Sequence, residues 1–117
     1  MIPPVYLLLH ASAEVVALVA DRIGEHGRVF PQETRPYITW QIVSGGTDAQ
    51  LDRGRACHDR STVQVDCWHA DSSGLAALAE AVRTALESDC YFVGPAADEQ
   101  DDETRLYRFG LLFDFIL

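Results

Sequence analysis

Between Arg60 and Glu87 the chain changes period. In Ser61–His69 the side chains alternate: Val63, Val65 and Cys67 fall on one face, Thr62, Gln64, Asp66 and Trp68 on the other. After a polar break at Asp71-Ser72-Ser73-Gly74, Leu75, Leu78, Ala79, Val82 and Leu86 recur at helical spacing, with Glu80, Arg83, Thr84 and Glu87 outward. A period of two passing into one of 3.6 predicts a strand feeding a helix. This passage is the centre on which the other elements are expected to pack.

The flanks carry weaker versions of both patterns. Pro3 and Pro4 suit the first turn of a short helix, where a missing N–H costs nothing. Val5, Leu8 and Leu9 then share a face. Ser12 predicts a cap for a second helix, with Glu14 in its first turn and a core stripe of Val15, Val16, Val19 and Ile23. Gly24 and Gly27 are expected to end it. Arg28–Phe30 reads as a short strand and Gln32–Pro36 as extended chain. Tyr37–Ser44 alternates again, Ile38, Trp40 and Ile42 against Tyr37, Thr39, Gln41 and Val43, and Gly45-Gly46 is expected to stop it. Gly45–Asp59 has no period and reads as a long loop projecting from a hairpin. Tyr91–Val93 reads as a short strand ended by Gly94-Pro95. Asp98–Glu103, rich in carboxylates, reads as a solvated loop. Thr104–Leu117 is expected to be the last strand, with Tyr107, Phe109, Leu111, Phe113, Phe115 and Leu117 against the helices and Arg108 and Asp114 pointing away.

This order predicts an α+β two-layer sandwich: a mainly antiparallel sheet of four or five strands with two main helices on one face. At 117 residues the chain is expected to form a single domain spanning 1–117. The uncovered face carries Tyr37, Gln41, Gln64, Asp66, Trp68, Arg108 and Asp114. It is too polar for a second core and too aromatic for plain solvent, which suits another subunit.

Charge narrows the function classes. The formal net charge is −9, and all nine basic residues are Arg. An acidic chain without a basic patch is a poor free-standing nucleic-acid binder. Without Lys, a Walker A phosphate loop or a Schiff base is excluded. Three cysteines, Cys57, Cys67 and Cys90, have no disulfide spacing, so a reducing compartment is expected. The apolar Val5–Leu9 lacks a basic leader, and Glu14 interrupts the hydrophobic stretch beyond it, so neither a signal peptide nor a membrane span is expected.

Catalytic and metal chemistry finds little support. Cys67 and His69 point to one face and Cys90 lies near the helix end, but no zinc spacing is present, and Cys67 continues the core row. Cys57-His58 has no third orienting group. Asp66 and Asp114 share a face without a known register, and the acidic run lacks the calcium-loop pattern. No enzyme, cofactor or metal is expected. Arg53, Arg55 and Arg60 alternate with Asp48, Asp52 and Asp59, which favours protein salt bridges. Trp40 and Trp68 suit a core or an interface. The candidate contact residues are therefore Trp40, Arg53, Arg55, Gln64, Asp66, Trp68 and Arg108.

Taken together, the apolar N-terminal helix pair, Arg28-Val-Phe-Pro31, Pro36-Tyr-Ile-Thr-Trp40, Val63-Gln-Val-Asp-Cys-Trp68, the Ala-rich Leu75–Leu86 helix and the closing Tyr107–Phe115 strand resemble one family. They resemble the tail-completion, or tail-terminator, proteins of long-tailed bacteriophages and prophage-like particles. The resemblance covers nearly the full length and rests on the order of the pieces. It implies a structural virion protein of the tail, made in the host bacterial cytoplasm. Such a protein forms a homo-oligomeric ring, commonly a hexamer, at the head-proximal end of the tail tube. It ends tube polymerisation, meets the tail-tube protein and the head connector or stopper, and lets DNA pass through its lumen. Two other readings stand beside it: a small dimeric ligand-binding or regulatory domain, and a hydrolase using Asp66, His69 or Asp114.

Overall fold

The computed structural model describes residues 3–26, 35–47 and 59–116. Eight elements follow in order: α1 (Val5–His10), α2 (Ala13–Val19), β1 (Ile23–Glu25), β2 (Tyr37–Thr47), β3 (Asp59–His69), α3 (Ser72–Glu87), β4 (Tyr91–Gln100) and β5 (Tyr107–Ile116). Among the described residues the fold is α+β, with three helices on one face of a five-stranded sheet ordered β1-β2-β3-β5-β4. β1 pairs parallel with β2; the other pairings are antiparallel.

The strand–helix passage lies where the periods place it. Val63, Val65 and Cys67 are fully buried, as are Leu78, Val82 and Leu86 of α3 above them. Opposite them in register stand Phe113, Leu111 and Phe109 of β5 and Trp40 and Ile38 of β2, so three adjacent strands form one apolar surface. Fully burying each such side chain contributes about 1.5–3 kcal/mol, so this layer holds most of the fold together. At the top of the passage His69 lies under the first turn of α3. A Cβ added to Gly74 would run into the His69 ring, so glycine there leaves the imidazole room to sit under the helix. The ring Nδ1 also accepts the Asp71 backbone N–H at 2.9 Å, which fixes the entry into α3.

Several boundaries differ from the sequence expectations, each for a local reason. The second helix ends at Val19, not Ile23. Ala20 takes a positive φ of 54° and reverses the chain. Ile23 then opens β1, its side chain still buried. Arg22 secures this turn, donating from Nε to the Pro36 carbonyl at 2.8 Å. β2 runs past Gly45-Gly46 to Thr47, because β3 pairs with it back to Asp59 and a register shift after Ile42 absorbs the irregularity. β4 continues through Gly94-Pro95 to Gln100. It is an edge strand, where proline's missing donor is tolerated, and two bulges relieve its register against β5. The first half of the acidic run is therefore strand, and only 101–106 make the turn. There Asp101 accepts from the Thr104 N–H and hydroxyl, each at 2.8 Å. The short strand expected at Arg28–Phe30, the extended Gln32–Pro36 up to Thr34 and the centre of the Gly45–Asp59 loop lie outside the described residues. No described helix is long and apolar enough to cross a membrane.

Candidate interface on the open sheet face

Alternation places a second set of side chains on the face without helices. Tyr37 pairs in register with Trp68, Thr39 with Asp66, and Gln41 with Gln64. On the other side of β3, Trp68 pairs with Arg108 and Asp66 with Gly110. Arg108 pairs in turn with Glu99 of β4. The face thus crosses four strands.

Its aromatic end is rigid. The Tyr37 and Trp68 rings stack with centroids 5.6 Å apart and planes 13° from parallel. Trp68 Nε1 donates to Thr39 Oγ1 at 3.0 Å, so the polar edge of the indole is satisfied. The Arg108 guanidinium lies 5.6 Å from the indole ring, within cation–π range. The same group donates from Nη1 to Glu99 Oε1 at 2.8 Å. Trp68, Arg108 and Glu99 join Gln100, Asp101 and Asp102 around a cleft of about 160 Å³.

Beside this end lies a buried carboxylate. Asp66 faces away from the helices and is nevertheless fully buried. It lies across Gly110: a Cβ at that glycine would stand 2.7 Å from Asp66 Oδ1. Gln64 Nε2 donates to that same oxygen at 3.0 Å. Arg108 Nε approaches it at 3.3 Å, an ion pair not aligned as a hydrogen bond. The second oxygen, Oδ2, has no donor among the described residues. A buried carboxylate oxygen left without a donor costs free energy, commonly about 1–3 kcal/mol or more. At the far end of the face Thr62 Oγ1 donates to Asp114 Oδ1 at 2.5 Å.

The candidate contact residues therefore separate into three groups. Gln64, Asp66, Trp68 and Arg108 come together as one connected network. Trp40 does not join them. It lies on the helix side at 8 % exposure, packed in the core, because it sits one residue out of phase with Tyr37 and Thr39. A shallow cleft shared with Glu25 and His26 borders it. Arg53 and Arg55 lie outside the described residues, as do Cys57 and His58. Thr39, Glu99 and Gly110 complete the network and were not singled out from the sequence. Their part depends on register, and the composition of the strands carries no signal for it.

Burial pushes the Cys67 thiol far above its ordinary range, and the Asp66 charge adds to it. Burial also raises the Cys90 thiol, to about 12, and its Sγ donates to the Leu86 carbonyl at 3.1 Å. Asp66 and Asp114 share the open face four register positions apart, one held over Gly110 and the other bonded to Thr62.

Comparison with known proteins places this architecture. A chain from a structure described as the virion of a native gene transfer agent particle shares the fold with a TM-score of 0.77 and 19 % identity, over 96 % of this chain and 90 % of that one. No curated protein sequence matches. The family model for tail completion protein gp17 matches residues 3–117. The chain therefore belongs to the tail completion protein gp17 family, and with it to the structural proteins of phage-type virion tails.

Proposed function

We propose that this protein caps the tail tube at its head-proximal end. There it stops tube polymerisation and forms part of the joint with the head connector or stopper, acting as a closed ring of copies, commonly six. It does so without catalysis and without a cofactor. The observation that carries this reading is the family match, which runs over residues 3–117 and so takes in every described element.

The surface of the fold supports the same reading. One face of the layer is committed to the described helices, and the partly exposed Gln41, Gln64, Trp68 and Arg108 of the other suit a partner. That face offers a fixed aromatic stack and a charge network around Arg108. The net charge of −9 suits a lumen that repels DNA phosphates, so the genome slides through without specific binding.

The test is polymerisation of the purified tail-tube protein with this protein added. Capping predicts shorter tubes, with added density at one end in negative-stain images. Tubes of unchanged length with bare ends would sink the reading. A discrete dimer that ignores the tube would favour the regulatory domain instead.

A further inference from the structure

The helix layer is incomplete at one end and overfull at the other. α3 covers the sheet's middle, and beyond it, over β4 and β5, a groove of about 610 Å³ stays open. Leu75, Ala76 and Ala79 of α3 form one wall; Phe92, Phe109 and Leu111 form the floor. On the rim, the Arg83 guanidinium lies 4.2 Å over the Phe92 ring and pairs with Glu87, so its charge is already engaged. Glu80 and Asp98 also line the groove and have no ion pair among the described residues. At the opposite end, over β1, α1 leaves Tyr6 40 % and Leu7 70 % exposed.

We propose that this groove receives helix α1 of a second copy of the chain, so that copies join head to tail. The proposal rests on the ring reading above and names the surfaces that make its joint.

Charge selects the occupant. Copies with a net charge of −9 repel one another, and carboxylates rim the groove. α2 carries Glu14, and α3 carries Glu80 and Glu87, whereas α1, Val-Tyr-Leu-Leu-Leu-His, carries no acidic residue. Its last turn holds His10, which stacks on Tyr6 at 5.2 Å. An imidazole there can donate to Glu80 or Asp98 while Tyr6 and Leu7 fill the apolar floor. No other described helix enters this rim without a like-charge cost.

Topology selects the symmetry. Donor helix and acceptor groove lie at opposite ends of one layer, so the contact is not self-complementary. Such contacts repeat, and they close into a ring when the rotation permits. The sheet edges do not favour a competing joint. β1 is three residues long, and β4 carries Pro95 and two bulges, devices that discourage strand pairing between chains.

The test uses two surface variants of the full chain, Leu7→Glu and Ala76→Glu, read by native mass spectrometry and negative-stain imaging. Each alone is expected to weaken ring formation at least tenfold with an unchanged thermal midpoint. Mixed one to one, they should form heterodimers, because each retains the half-site the other has lost. Should either variant unfold, oxidation of a Leu7→Cys, Ala76→Cys protein substitutes, with a ladder of linked copies expected. Rings from both variants, or no ladder, would overturn the surface assignment and leave the ring reading standing. So would a Leu7→Glu protein that rings but no longer stops tube growth, since α1 would then face the tube. A wild-type protein that never rings, even on the tube, would remove the ring reading and this proposal together.

Discussion

Neighbouring residues of β3 follow opposite rules. Val63, Val65 and Cys67 are fully buried beneath α3 in a surface that is apolar throughout. Gln64, Asp66 and Trp68, between and beyond them, build a polar and aromatic network on the face with no helices. The first set is stabilised by apolar area removed from water, which is insensitive to direction. The second depends on alignment: a stacked ring pair, a hydrogen-bonded indole, and a carboxylate fitted over a glycine. A side chain on the helix face should therefore contribute mostly to folding, and one on the open face mostly to association.

The largest effect should come from the helix face. Phe113 is fully buried against α3's layer and meets the Phe92 ring at 5.5 Å. Phe113→Ala should cost about 3–5 kcal/mol of folding stability, measured by denaturant unfolding. A loss below 1 kcal/mol would mean that the layer collapses into the space, and the two faces would no longer be distinguished by packing.

Gly110→Ala tests whether the open face is as loose as its polarity suggests. The added methyl would meet Asp66 Oδ1 at 2.7 Å and the Ala97 backbone nitrogen at 3.3 Å. Asp66 is fully buried, so it has little room to retreat. A loss of roughly 1–3 kcal/mol is expected, as for overpacking in a core. A neutral result would show that Asp66 moves freely and that its burial has little consequence for the fold.

Trp68→Ala sharpens the comparison further. It removes the Tyr37 stack, about 0.5–1.5 kcal/mol, and the bond to Thr39, of similar size. Unfolding should therefore shift by about 1–3 kcal/mol, less than for Phe113→Ala, while assembly on the tube falls more steeply. If both folding and assembly stay as in the wild type, the open face is not a subunit contact.

How much of this was legible in the sequence follows the same division. Strong alternation in β3 and β5 and the stripe of α3 marked both faces, because the period that sorts side chains to one face lies wholly within one element. β1 left no such mark. Three residues carry no period, and their pairing with β2 depends on Ala20 reversing the chain and Arg22 reaching Pro36, neither of which is a familiar stop signal. Gly94-Pro95 read as an end and proved to be an edge, because a strand's place in the sheet decides whether a missing donor matters. Trp40 read as a contact by residue type, whereas its phase in β2 puts it with Ile38 in the core. Asp66 was legible as an open-face residue but not as a buried one. Its depth comes from Gly110, forty-four positions away and adjacent only through register.

The smallest effect separates the rims of the two faces. Asp101 closes the β4–β5 turn beside the open-face cleft, and Asp71 stands before α3 on the helix side. The Thr104 backbone and hydroxyl bonds hold the Asp101 carboxyl below its ordinary 3.8. For Asp71, the Ser73 hydroxyl is the main cause in the same direction. A carboxylate whose value is lower in the folded state contributes stability above the unfolded value and loses it as pH falls through the folded one. Both contributions should be intact at neutral pH and fade below 3.8. Both groups are exposed, so water screens the effect and global unfolding should scarcely register it. Local hydrogen exchange is the sensitive reading. The Thr104 amide, bonded directly to Asp101, should lose protection in acid, and Asp101→Asn should flatten that dependence. The Val65 and Phe113 amides, paired within the sheet, should keep theirs over the same range. Equal loss at all three would mean that acid opens the whole sheet, and that the turn and the core do not titrate as separate units.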